Sequence, residues 1–251
     1  MKQLIRLDEP ESFFKNEKKI EFYKDLRDSN GKIRSRWNLP TYQEDIKEIL
    51  FNTTNGECAF CGRKVGESDF DVEHYLPKEQ FPYLAYSFEN YLCSCKHCNQ
   101  SLKKTYYPKS LDTMKQSLGE SILVNEIDGI IAYNKKEILD KTIDRIIEPT
   151  FDNIEEHLEF EPLSCTYLIK NNSSIGEETY KMFFNHREVV AYLQSINKQI
   201  MKMVVEGNSK DTILDLGLIL GYSFYVEKFY EYWTEFLVLV QKCFLCNLRL
   251  D

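Results

Sequence analysis

The sequence predicts an α+β, mostly α-helical protein: a small cysteine-stapled ββα finger set between an N-terminal helical segment and a helical C-terminal region. Three observations carry this reading. Two C-x-x-C pairs, Cys58/Cys61 and Cys95/Cys98, bracket a short and irregular stretch. That stretch is too small to bury a core by itself, so it needs a staple. On either side the apolar residues recur at helical spacing, with one alternating exception.

Taken in order, residues 1–57 form the N-terminal helical segment. Residues 11–28 place apolar side chains at 13, 14, 20, 22, 23 and 26, a rough helical face. Asn30-Gly31-Lys32 interrupts it and Pro40 precedes a second helix. Thr41 as N-cap with Glu44 three residues on fits a capping box, and Ile46, Ile49 and Leu50 then line one face. Residues 58–110 form the finger: a knuckle at C-A-F-C-G, a strand over F-D-V-E-H-Y-L, a loop, and a short helix from about Lys96, closed by Tyr107-Pro108. Residues 111–251 are mainly helical, with helical periodicity over 136–147, 177–205 and about 210–246. Residues 157–170 alternate and predict a two-stranded hairpin.

Bulk properties narrow the function. The chain has 251 residues, 43% hydrophobic and 14% aromatic, which describes a globular protein. No run approaches the ~20 apolar residues of a membrane helix, and the start M-K-Q-L-I-R-L-D-E-P has no apolar signal region. The expectation is a cytoplasmic protein with no membrane contact. Charge is uneven: 11 basic and 11 acidic side chains over 1–57, 7 and 6 over 58–110, 14 and 23 over 111–251. The net charge of −8 therefore belongs to the C-terminal region, and a polyanion would need a local basic patch or a partner.

The two C-x-x-C pairs have the spacing of a four-thiolate Zn²⁺ site, with Gly62 just after the first knuckle. Nothing marks export, which favours metal over disulfides. C-S-C-K-H-C offers a third sulfur, but Cys95 and Cys98 have the knuckle spacing, so Cys93 reads as a packed strand residue and His97 as pointing away. A structural zinc needs nothing between its knuckles. Here Asp71, Glu73, His74 and Lys78 (D-V-E-H-Y-L-P-K) lie there, with Asn90 sixteen residues past the histidine. Asn99 directly follows the last cysteine, and Lys103 and Lys104 come next. Strand alternation sets Asp71, Glu73 and Tyr75 on one face and Val72, His74 and Leu76 on the other.

The order C-x-x-C, D-x-E-H-x-x-P-K, E-N-Y-L, C-x-x-C-N and a trailing lysine, over 58–104, resembles the HNH endonucleases, whose ββα-metal fold gathers its motif residues round one divalent cation. Residues 148–160 (E-P-T-F-D-N-I-E-E-H-L-E-F) and 176–188 (G-E-E-T-Y-K-M-F-F-N-H-R-E) further resemble the PtuB-type nuclease subunits of Septu and certain retron anti-phage systems, which work beside a PtuA-type ATPase. The resemblance implies His74 as general base, Glu73 and Asn99 as ligands of Mg²⁺ or Mn²⁺, and Asn90 as the amide that holds the loop or orients the ring. Asp71 would hydrogen-bond across the fold or assist the metal. Lys78, with Lys103 or Lys104, would contact phosphates. The third motif position is Asn99 rather than His, and the doubled lysine leaves open which amine faces the substrate.

The resemblance thus implies a nuclease effector paired with an ATPase, DNA cleavage favoured. An RNA- or tRNA-cleaving effector and a non-catalytic zinc-ribbon binding module stand as alternatives. Elsewhere, Cys243 and Cys246 form a third C-x-x-C with no second pair, and read as core or interface residues. His157 and His186 read as packing or local hydrogen-bonding residues. The aromatic run 221–240 is apolar almost all round, suited to a core or to an interface.

Overall fold

The computed structural model describes residues 1–8, 21–25, 43–114 and 138–247. Within them the protein is α+β and mostly helical, with two small antiparallel hairpins. Of the predicted helix 11–28, residues 21–25 are helical; the remainder and the side chains of the Thr41–Glu44 capping box lie outside the described residues.

Helix α1 (Gln43–Thr54) buries Ile46 and Leu50, four residues apart on its inner face. It ends because Asn55 and Gly56 turn left-handed, with φ of 54° and 70°. A Cβ at Gly56 would lie 2.8 Å from the Phe51 ring, so only glycine closes this turn. The chain then enters the first knuckle. Gly62 (φ 70°) bends it back, Cys58 N–H donates to Arg63 O at 2.7 Å, and Ala59 N–H donates to Cys93 O at 2.9 Å. The knuckle is thereby fastened to the strand that precedes the second one.

Strands β1 (Asp71–His74) and β2 (Tyr91–Ser94) pair antiparallel, setting Asp71 opposite Ser94 and His74 opposite Tyr91. A short helix follows at His97–Lys103, wound wide: Lys104 N–H donates to Asn99 O, five residues back, at 2.8 Å. Such i→i+5 turns are rare and cluster at functional sites. This completes the predicted ββα finger.

Strands β3 (Leu158–Glu161) and β4 (Thr166–Ile169) form the predicted hairpin. Of the helix expected over 136–147, residues 138–139 are helical, 140–147 are irregular, and 136–137 lie outside the described residues. Arg145 explains this, because its Nε donates to Leu139 O (3.2 Å) and Thr142 O (3.0 Å), carbonyls a helix would give to backbone N–H groups. Its guanidinium also grips Asp152 with both terminal nitrogens.

The expected helix 177–205 is two helices. Helix α2 (Ser174–Thr179), capped by Ser173, runs into a wide turn at Tyr180–Phe184 and stops at Asn185. Extended His186 restarts the chain as α3 (Arg187–Val205), and its ring Nε2 donates to the carbonyl of Met182 at 3.0 Å. The stretch 210–246 is likewise split by left-handed Gly221 into α4 (Lys210–Leu220) and α5 (Ser223–Asn247). Helix α5 is part core, part surface: Tyr225, Val226 and Phe229 are buried, while Phe236 and Leu239 are exposed. Buried apolar side chains from the finger and from the C-terminal helices join in one cluster. Phe60 of the first knuckle stacks on Phe183 at 4.6 Å, and Lys64 N–H donates to Gly221 O at 2.7 Å. No helix among the described residues is long and apolar enough to cross a membrane.

Candidate active site

The four thiols meet as the spacing predicts. The sulfurs of Cys58, Cys61, Cys95 and Cys98 all lie within 4.8 Å of one another, and those of Cys61 and Cys95 are 3.9 Å apart. Four sulfurs at ~2.3 Å from a tetrahedral zinc stand roughly 3.8 Å from each other, so the cluster fits a structural Zn²⁺. Cys93 is outside it. Its side chain is buried on β2, and burial pushes the thiol up to about 12, so it stays protonated. His97 is exposed.

The helix that carries the second knuckle runs back beneath β1, and this brings the motif residues together. His74 ends β1 and is buried. Its Nε2 lies 3.0 Å from Ala85 O. A carbonyl only accepts, so Nε2 carries the proton and Nδ1 is the basic nitrogen. The Tyr91 ring stands edge-on to the imidazole at 5.0 Å and 82°, and its hydroxyl donates to the same Ala85 carbonyl at 2.7 Å. Burial, reinforced by the nearby Lys78 and Lys103 ammonium groups, holds the imidazole down to about 3, so the ring is neutral at neutral pH.

Glu73, adjacent, is also buried, and desolvation raises its carboxyl above the usual range against the opposing pull of Lys103. Lys103 Nζ donates to Glu73 Oε1 and, at 2.9 Å, to the backbone carbonyl of His74. The expectation that Lys103 or Lys104 meets phosphate therefore divides: Lys103 is 1% exposed and turned inward, whereas Lys104 is exposed. Lys78 is half-buried.

Asn99 and Asn90 have different environments. Asn99 Nδ2 donates to Asp71 Oδ2 at 3.0 Å, and Gln100 Nε2 donates to the same oxygen at 2.8 Å. Its amide nitrogen is thus spent on Asp71, and the amide oxygen is the atom that would suit a cation. Asn90 is fully buried, with its side chain on the backbone of Leu76.

Two participants carry no signal in the motif itself, the Ala85 carbonyl and Gln100, while Tyr91 stands in the E-N-Y-L element with no role assigned to it there. Tyr91 was within reach of the sequence, since pairing β1 with β2 through the motif puts it opposite His74. Ala85 acts through its backbone, which leaves no trace in side-chain identity. Away from the site, His157 Nδ1 pairs with Ser173 Oγ at 2.7 Å. Cys165 is buried and Cys243 exposed, while the side chain of Cys246 lies outside the described residues.

A ββ hairpin and helix bound by four cysteines, with a Glu-His pair on the first strand and an asparagine after the last cysteine, defines the class. Residues 58–105 match the family model for the HNH endonuclease, so the chain carries an HNH endonuclease domain, a domain class that implies phosphodiester hydrolysis. More particularly, it is distantly homologous to the Septu protein PtuB. It is 27% identical over 158 residues to Septu protein PtuB of Bacillus mycoides (strain KBAB4), covering 57% of this chain and 48% of that one. It is 37% identical over 67 residues to Septu protein PtuB of Bacillus thuringiensis, covering 26% and 24%. The chain thus spans about half the length of the first relative and a quarter of the second. No solved structure gives a significant match.

Proposed function

We propose that the protein is a metal-dependent endonuclease in which His74 is the general base, and that it is the nuclease effector of an anti-phage system, cutting DNA. The observation that supports this most is the state of His74: a neutral imidazole, its proton fixed on Nε2 by Ala85 O, in a chain position next to a buried carboxylate. A zinc-ribbon binding module has no use for such a pair.

Glu73 and Asn99 would hold Mg²⁺ or Mn²⁺, hard ions suited to carboxylate and amide oxygens. When bound, the cation supplies positive charge against the phosphate and its leaving oxygen. The chain's own residues do the rest. His74 Nδ1 accepts a proton from water as the water oxygen bonds to phosphorus, and the bond to the 3′ oxygen breaks with its electron pair passing to that oxygen, which takes a proton from solvent, leaving 5′-phosphate and 3′-hydroxyl ends. Bonding to the Ala85 carbonyl orients the ring for this transfer. Exposed Lys104 and half-buried Lys78 contact the phosphates.

A PtuA-like ATPase is the proposed partner. Support comes from the likeness to PtuB proteins and from the acidic balance over 111–251, which repels nucleic acid and suits docking to a basic protein. The test is His74→Ala in protein purified with that partner and Mg²⁺. General-base loss lowers the cleavage rate by about 10²–10⁴. Cleavage equal to wild type would sink the nuclease reading.

A further inference from the structure

We propose that Lys103 is a positioning residue that fixes the Glu73 carboxylate for the divalent cation, rather than a phosphate contact. The inference rests on the proposal that Glu73 is a ligand of that cation. A lysine that meets phosphate must reach solvent, and the Lys103 side chain has 0% of its surface exposed. Its ammonium is committed twice: to Glu73 Oε1, whose side chain is itself only 5% exposed, and to His74 O at 2.9 Å. Those two contacts tie the end of the knuckle helix to two consecutive residues of β1, the pair that carries the chemistry.

Burying two charges costs several kcal/mol each before attraction offsets it, so an apolar pair of the same shape would stabilise the fold at least as well. What the ion pair contributes is orientation. A carboxylate has two oxygens with separate lone pairs. With Oε1 anchored by Lys103, the group has lost its free rotation, and Oε2 is the oxygen left for a metal. The same lysine restrains the His74 backbone, so base and ligand move as one unit. Lys104 next to it turns left-handed (φ 50°) and out to solvent, which separates the two lysines into an inner and an outer role.

The test is Mn²⁺ binding to zinc-loaded full-length protein without nucleic acid, followed by the paramagnetic resonance of free Mn²⁺. Glu73→Gln sets the level expected when the ligand is lost. Lys103→Met should weaken Mn²⁺ at least tenfold with zinc content unchanged. Lys103→Ala should be weakened similarly, and n-propylamine, filling the space of the missing amine, should restore much of the loss, which a merely structural role would not do. If Lys103→Met does not fold, Lys103→Gln, which keeps a donor for the His74 carbonyl, takes its place in the same comparison. Mn²⁺ affinity unchanged or tighter in the Lys103 variants while Glu73→Gln is impaired overturns the positioning role and leaves the metal reading standing. Wild-type affinity in Glu73→Gln removes the metal reading itself, and the role of Lys103 with it.

Discussion

Asn90 grips Leu76 with both ends of its amide. Its Oδ1 accepts from Leu76 N–H at 2.8 Å and its Nδ2 donates to Leu76 O at 2.8 Å, closing the neck of the loop that joins β1 to β2. Tyr75 N–H donates to Asn90 O at 2.8 Å just beneath it. The loop so closed carries Ala85, whose carbonyl orients His74. Asn90 thus reaches the proposed base through backbone alone.

Asn90→Ala should therefore disturb stability and activity together. Both Leu76 and Asn90 are fully buried, so the change leaves one donor and one acceptor unpaired. Each costs about 1–3 kcal/mol. Urea denaturation should show that loss with zinc still bound, and cleavage should fall because the loop no longer holds Ala85. Asn90→Asp should be worse, since it sets an anion against the Leu76 carbonyl.

The thiol cluster predicts a sharp division among neighbouring cysteines. Cys98→Ala removes one of four converging sulfurs and should release the zinc, because structural sites of this kind contribute ~10–16 kcal/mol to folding through the metal. Cys93→Ala, five residues away, should keep one zinc per chain. Metal analysis after desalting distinguishes the two, and a melting curve should show a large loss only for Cys98→Ala.

Much of this was legible in the sequence because its chemistry is local. Paired C-x-x-C knuckles and the Glu73-His74 step are written in adjacent residues, and the β1–β2 finger follows from them. What was not legible depends on long-range partners or on helix phase. Arg145 unwinds a stretch with helical periodicity because Asp152 and two carbonyls capture it. The roles of Lys103 and Lys104 could not be divided because their helix winds i→i+5, so side-chain directions assigned at 3.6 residues per turn drift out of register. Asn99 and Asp71, 28 residues apart, meet only once that helix is seated under β1.

Acid should destabilise the fold through His74. The ring is held down to about 3 in the folded protein, from an ordinary 6.5. Above the ordinary value both states are neutral and the full stability is present. As pH falls below it, the unfolded chain takes up a proton that the folded chain refuses, so stability is lost until the folded value is reached. Between about pH 7.5 and pH 5.5 the site should cost about 1.4 kcal/mol. Glu73, raised by burial, acts with the opposite sign, gaining stability as pH falls. Comparing His74→Gln with wild type cancels that contribution: the variant's urea midpoint should fall less over the same interval. Parallel pH curves for the two proteins would contradict the neutral, buried state.

The inward and outward lysines give the last prediction. Each ammonium that meets phosphate releases counterions, so the logarithm of affinity falls with the logarithm of salt by about 0.9 per contact on duplex DNA. Lys104 is exposed and Lys78 half-buried at the edge of the site, so each should contribute to that slope. Lys103 is spent on Glu73 and the His74 carbonyl and should not. Measured in a His74→Ala background with the ATPase partner present, so that binding is read without cleavage, Lys104→Ala and Lys78→Ala should each flatten the slope by about one. Lys103→Met should leave the slope as it was. A slope that flattens on Lys103→Met and holds on Lys104→Ala would reverse the assignment of the two neighbouring amines.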